Sequence, residues 1–167
     1  MKHLLRTLMA GGFLMTLSAT APAAEGTVTF EVMKPETALT AARAALEYCR
    51  AAGFQATVAI VDRFGGVQVV LRDQLASART VSTAIGKAQT AAGFRTNTTD
   101  LIPPTANGQP ASGIRHLSGV VIVGGGVIIE AAGALVGSIG VSGAPGGDMD
   151  DLCAFAGIEA IEDLLEF

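Results

Sequence analysis

The chain has 167 residues, half of them hydrophobic, with 15 acidic against 11 basic residues and two histidines. A net charge of −4 without any basic run excludes a nucleic-acid or anionic-membrane surface as the chain's main business. The length suits one domain, and no segment beyond the N-terminus is apolar enough for long enough to span a bilayer.

The first residues read MKHLLRTLMAGGFLMTLSATAPAAEG. Lys2, His3 and Arg6 form a basic start, Thr7 to Thr20 is uncharged and mostly apolar, and Ala21-Pro22-Ala23 places small residues at −3 and −1. This pattern predicts a secretory signal peptide over 1–23 and a single domain over 24–167, in the periplasm or outside the cell. Loss of Lys2 and Arg6 leaves nine basic residues against fifteen acidic ones, a net charge of −6.

Pro35 to Ala52 reads as a helix, with Ala38, Ala42, Ala45, Cys49 and Ala52 recurring every three or four residues. Pro35 suits its first position and Gly53 its stop. Gln55 to Val61 is a β-branched strand, Asp62 to Gly66 a hairpin turn, and Val67 to Arg72 its partner. Ala76 to Ala92 is a second helix, ended by Gly93. Its stripe of Ala78, Val81, Ile85, Ala88 and Ala92 is mostly small, which lets the sheet or a second subunit approach closely. Residues 94–118 lack periodicity and carry Pro103-Pro104, Asn107-Gly108 and Pro110, as functional or mobile loops do. Three short strands follow, Val120–Val123, Val127–Glu130 and Leu135–Val141, separated by glycine turns. Asp148 to Leu165 is the last helix. Tight turns make neighbouring strands antiparallel, so the expected class is α+β, a five-stranded antiparallel sheet flanked by helices.

Few residues are equipped for chemistry. His116, in GIRHLSG at the end of the long loop, is the one histidine left after signal removal. That excludes a two-histidine zinc site within one subunit, and a Ser-His-Asp triad lacks its GxSxG elbow. His116 is either a metal-ligating imidazole or an ordinary loop histidine. Tyr48, on the first helix, is the sole tyrosine. Arg72, Lys87 and Arg115 could each pair with a ligand carboxylate or sit as surface charges. The run GSIGVSGAPGGDMDD puts Gly143 and Gly146 where a backbone could approach a ligand ahead of the last helix. Asp148, Asp150 and Asp151 crowd the same turn, where they complement the helix dipole and repel anions. Cys49 and Cys153 are either a disulfide or two buried thiols, and no CxxC is present.

Several of these residues together resemble one family. Asp62 with Gly65-Gly66, Arg72, the K-A-x-T-A run Lys87–Ala91, Gly125-Gly126, and V-G-S-I-G-V-S-G-A from Val136 to Ala144 follow in the order seen in the GlcG/HbpS family. The likeness covers about residues 36–165. It implies a three-layer α/β/α arrangement around a five-stranded antiparallel sheet, assembly into symmetric oligomers, and haem or a related small molecule as partner. Without a C-x-x-C-H motif the haem would be non-covalent. His116 is then the first choice for the haem iron, with Arg115, Lys87, Arg72, Gly143 and Gly146 as companions. The family implies haem storage, sequestration or sensing. Chemistry on haem or a small hydroxy- or oxo-acid, and a purely structural assembly role, are the alternatives.

Overall fold

The computed structural model describes residues 25–165. The expected signal peptide, 1–23, lies outside the described residues. Residues 25–30 belong to a separate unit and carry no helix or strand; everything below concerns residues from 31 onward.

Pro35 opens helix α1 (Pro35–Ala51), whose buried side is Ala38, Ala41, Ala42, Ala45, Leu46 and Cys49. Strands β1 (Thr57–Asp62) and β2 (Val67–Arg72) form the expected hairpin. Asp62 closes it: its Oδ1 accepts the N–H of Phe64 at 2.8 Å and of Gly66 at 2.9 Å. Gly65, at φ +84°, supplies the left-handed residue that the turn needs. Helix α2 (Arg79–Phe94) runs through Gly93 and ends one residue later, with Arg95 taking the left-handed cap at φ 52°. A 3₁₀ turn (Ser112–His116) interrupts the long loop. Strands β3 (Gly126–Ala131) and β4 (Ala134–Ser142) follow. The last helix is broken in two, α3 (Gly147–Glu159) and α4 (Glu162–Leu165). Its break falls where the Ile161 N–H turns to the Ile158 carbonyl at 2.9 Å, a tightened i→i+3 bond that lets Ile161 bury completely.

The sheet has four strands, not five, in the order β2-β1-β4-β3, all antiparallel. The expected strand Val120–Val123 is an irregular segment. The place a fifth strand would occupy beside β3 is filled by the turn after α2. There the Asn97 Oδ1 accepts the Ile128 N–H at 3.1 Å. Thr98 pairs with Gly126 through its backbone N–H (2.8 Å to the Gly126 carbonyl) and its hydroxyl, which accepts the Gly126 N–H at 2.9 Å. With that edge satisfied, Val121 gives its N–H to the Thr90 hydroxyl of α2 instead.

Helices cover both faces of the sheet. On one side α1 and α3 enclose the main core with Val58, Ile60, Val127, Ile129, Ile139 and Val141. On the other, α2 lies on Val61 through Ala88 and Ala92. Of the expected stripe of α2, Ala88 and Ala92 serve this contact, whereas Ala78 is exposed and Val81 and Ile85 are half-buried. The approach is close: a Cβ on Gly140 would fall on the Ala84 carbonyl and 2.7 Å from the Ala88 nitrogen. Gly157 does the same between α3 and α1, where a Cβ would come 2.7 Å from the Ala41 carbonyl. Nearby, Cys49 and Cys153 form a disulfide with Cα atoms 5.5 Å apart, both side chains fully buried.

Candidate functional site

Lys87 is buried, at 1% exposure. An ammonium this deep must be paired and hydrogen-bonded. Its Nζ donates to Asp150 Oδ2 at 2.7 Å and to the Val141 carbonyl at 2.9 Å. Asp150 in turn accepts the Ala144 N–H at 3.0 Å. Burial raises the Asp150 carboxyl above its ordinary value, against the opposing pull of Lys87 and Ala144. The carboxylate Lys87 meets is therefore the chain's own, and its charge locks α2 to the start of α3. Asp151 joins the lock by accepting the Gly125 N–H and the Thr99 hydroxyl.

The glycine loop is also used internally. Gly143, at φ +144°, lies so close to the segment leading into β1 that a Cβ would meet the Gln55 carbonyl at 2.5 Å. Gly146 is the N-cap of α3 and makes no side-chain cap bond, while Asp148 and Asp150 occupy the first turn as the dipole favours. Arg72 donates to the Ala76 carbonyl and so fastens the connection into α2. Tyr48 is half-exposed on α1. An ion pair between the half-exposed Arg50 and the buried Asp73, at 2.8 Å, holds the Asp73 carboxyl below its ordinary value.

Arg115 and His116 are elsewhere, at the end of the 3₁₀ turn, and both are exposed. Arg115 Nε donates to the Thr105 carbonyl at 2.7 Å and its Nη2 to the Ile102 carbonyl at 3.0 Å. Those bonds fix the guanidinium and leave Nη1 without a partner among the described residues. Beside it runs a furrow between the outer side of α2 and residues 118–123. Its largest part, about 430 Å³, is lined by Ser82, Thr83, Ile85, Gly86, Gln89, Gly119 and Val121. Two further hollows of about 280 and 290 Å³ share Gln89, Gly119, Val120 and Val121 with it or with each other, and Arg115 lines the latter. The walls are mainly apolar, with Phe94 at one hollow and Val123 at another.

Of the residues expected from sequence, Arg115 lines one hollow of the furrow, and His116 is exposed next to it in the chain but lines none of the three hollows. Lys87, Gly143 and Gly146 lie in the α2–α3 lock, and Arg72 lies at the loop leading into α2. Sequence reasoning missed the furrow's own floor and wall, Gly86, Thr90 and Val121. The K-A-x-T-A run contains Thr90, but nothing in the run shows which backbone group the hydroxyl would meet.

The fold and sequence match known proteins along nearly their whole length. Streptomyces reticuli HbpS, solved as a double mutant, is 33% identical with a TM-score of 0.78, covering 87% of this chain and 98% of that one. PduOC, solved as a haem complex, is 31% identical with a TM-score of 0.74, covering 78% and 96%. Klebsiella pneumoniae ORFY shares the fold at 20% identity and a TM-score of 0.79, covering 83% and 97%. No curated protein matches the chain closely enough to count as a relative. The family model described as "Haem degrading protein HbpS-like" matches residues 33–159, and the chain belongs to that family.

Proposed function

We propose that this protein binds haem non-covalently in the furrow beside α2 and holds it for storage, sequestration or sensing. The observation that carries the reading is an open apolar furrow with one immobilised cation at its end, in a member of the HbpS-like family that is 31% identical to a protein solved as a haem complex. Ligand sites for flat apolar molecules combine just these parts, an apolar wall and a few placed polar groups. Ile85, Val120 and Val121 suit the macrocycle's faces, and Gly119, with open space where a side chain would stand, lets it lie against the backbone. Arg115 Nη1 suits a propionate, since its two loop bonds hold it ready. His116, next in sequence to Arg115 and two residues before Ser118, is the nitrogen donor that this reading assigns to the iron. Haem itself would bring an iron that accepts an axial ligand and an intense Soret band.

The protein acts outside the cytoplasm and as a homo-oligomer in this reading. The signal-like start of the sequence and the buried Cys49–Cys153 disulfide support an oxidising compartment. The exposed apolar residues Leu117 and Val123 beside an open furrow support cover from a second copy.

Haem titration of protein recovered from the periplasm or medium tests the reading. A saturable Soret shift is expected, weakened or blue-shifted in His116→Ala and unchanged in Tyr48→Phe. A wild-type spectrum that stays that of free haem at all ratios overturns haem binding, and a normal His116→Ala titration removes His116 as ligand. Intact mass of the same sample should match a chain starting within a residue or two of Ala24. Light scattering should give a multiple of the single-chain mass.

A further inference from the structure

Between Leu117 and Gly126 the chain runs along α2 as an irregular strap, and one turn of α2 meets it at two places. Near Gly125 and Gly126 the close contact is Lys87, without a hydrogen bond to either glycine. Its Nζ lies 2.9 Å from where a Cβ on Gly125 would stand, and its carbonyl oxygen 2.5 Å from one on Gly126. Further along the strap the fastening is Thr90. Its Oγ1 donates to the Gly86 carbonyl at 2.7 Å and accepts the Val121 N–H at 2.9 Å.

A threonine inside a helix commonly returns its hydroxyl proton to the i−4 carbonyl, as Thr90 does. That leaves the oxygen lone pairs facing outward and makes the hydroxyl an acceptor of fixed direction. Thr90 is 3% exposed, so water does not compete for the site. Directly beneath the strap, Gly86 offers no side chain: a Cβ there would come 2.6 Å from Val121 Cγ2. Val121 therefore rests in the notch that Gly86 leaves, at a height set by the Thr90 hydroxyl. Val121 lines two of the three hollows and Gly86 the largest.

We infer that Thr90 is a positioning residue of the furrow: through Val121 it sets the distance between strap and helix, and with it the fit of the ligand. The inference rests on the haem reading above for the ligand's identity. The joint itself can be read without haem.

The test compares Thr90→Val, which keeps the shape and removes the hydroxyl, with Thr90→Ser, which keeps the hydroxyl. Amide hydrogen exchange at Val121 is measured on the protein without haem, and haem affinity by Soret titration. A net hydrogen bond is worth about 1 kcal/mol, so Thr90→Val should speed Val121 exchange about five- to tenfold and weaken haem by a similar factor. Thr90→Ser should restore both. Unchanged Val121 exchange in Thr90→Val overturns the joint. Faster exchange with unaltered haem affinity overturns the positioning role. If wild type binds no haem while Val121 still responds and serine still rescues, the haem reading fails and the joint stands. Should Thr90→Val not fold, Gly86→Ala lifts Val121 from below. It should also speed Val121 exchange and weaken haem, and a normal value for both overturns the inference.

Discussion

Lys87→Met is the sharpest probe of the α2–α3 lock. Methionine fills much of the lysine's space but cannot donate to Asp150 Oδ2 or to the Val141 carbonyl. The Asp150 side chain is 5% exposed and would be left as an unpaired buried carboxylate. It escapes by taking a proton. In the wild type burial already raises this group above 3.8, and without Lys87 the rise is larger. A raised folded value means that the native state holds the proton more tightly than the unfolded chain. Stability then falls as pH climbs above 3.8, until the folded carboxyl ionises. At about 1.4 kcal/mol per pH unit, keeping Asp150 protonated costs up to about 4.4 kcal/mol at pH 7 and about 1.6 kcal/mol at pH 5. Residual contact with water lowers both ceilings. The pH 7 value agrees with the roughly 3–5 kcal/mol lost when one partner of a buried pair is removed. Urea unfolding followed by circular dichroism at pH 5, 6 and 7 measures the difference from wild type. The loss should be smaller at pH 5 than at pH 7, by at most about 2.8 kcal/mol. In Lys87→Met with Asp150→Asn the pH dependence of the loss should disappear. A loss under about 1 kcal/mol at pH 7, or one equal at pH 5 and pH 7, would refute the reasoning.

Thiol titration of denatured, unreduced protein should find no free thiol, and Cys49→Ala with Cys153→Ala should cost about 4–5 kcal/mol by the chain-entropy estimate for so long a loop; two thiols per chain would remove the bridge. Gly140→Ala should destabilise by about 3 kcal/mol or prevent folding, because its methyl meets the α2 backbone and not a side chain that can turn away; a neutral urea melt would show that α2 is not seated so closely. Arg50→Gln should lower thermal stability at neutral pH and match wild type in strong acid. The depressed Asp73 carboxyl stabilises the fold above its ordinary range and loses that contribution as pH falls through its folded value. A melting difference that persists at pH 2 would contradict this.

Helices α1 and α2 and the β1–β2 hairpin were legible because their signals are local. Alanine spacing, Pro35 and the Asp62–Gly66 turn each act within a few residues. Val120–Val123 looked like a strand because it is apolar and β-branched, and those properties hold. What denied it a ladder is Asn97 and Thr98, which reach the β3 edge from more than twenty residues away. Lys87 shows the same limit. Its position among small helix residues was visible, but its partner lies 63 residues on, so burial and pairing were not. The two cysteines left a disulfide and free thiols equally open until the crossing of α1 and α3 brought them together. The furrow was the least legible feature. It is bounded by a strap whose shape depends on one hydroxyl, and no composition or period marks such a residue.

The Cys49–Cys153 bridge also bears on how fast the chain can find its fold. All four strands lie between the two cysteines, and the most distant pairing in the sheet is β1 with β4, Thr57 opposite Ser142. Along the chain those two residues are separated by about 85 positions, but by way of the bridge by about 19, which lowers the entropy of closing that pair by about 1.3 kcal/mol. Once oxidised, the chain meets its slowest contact as though it were a local one, and refolding should be up to about tenfold quicker than from the reduced state. A chain that oxidises early would therefore assemble its central strand pair under conditions closer to those of a small hairpin protein than of a β-sheet with remote partners.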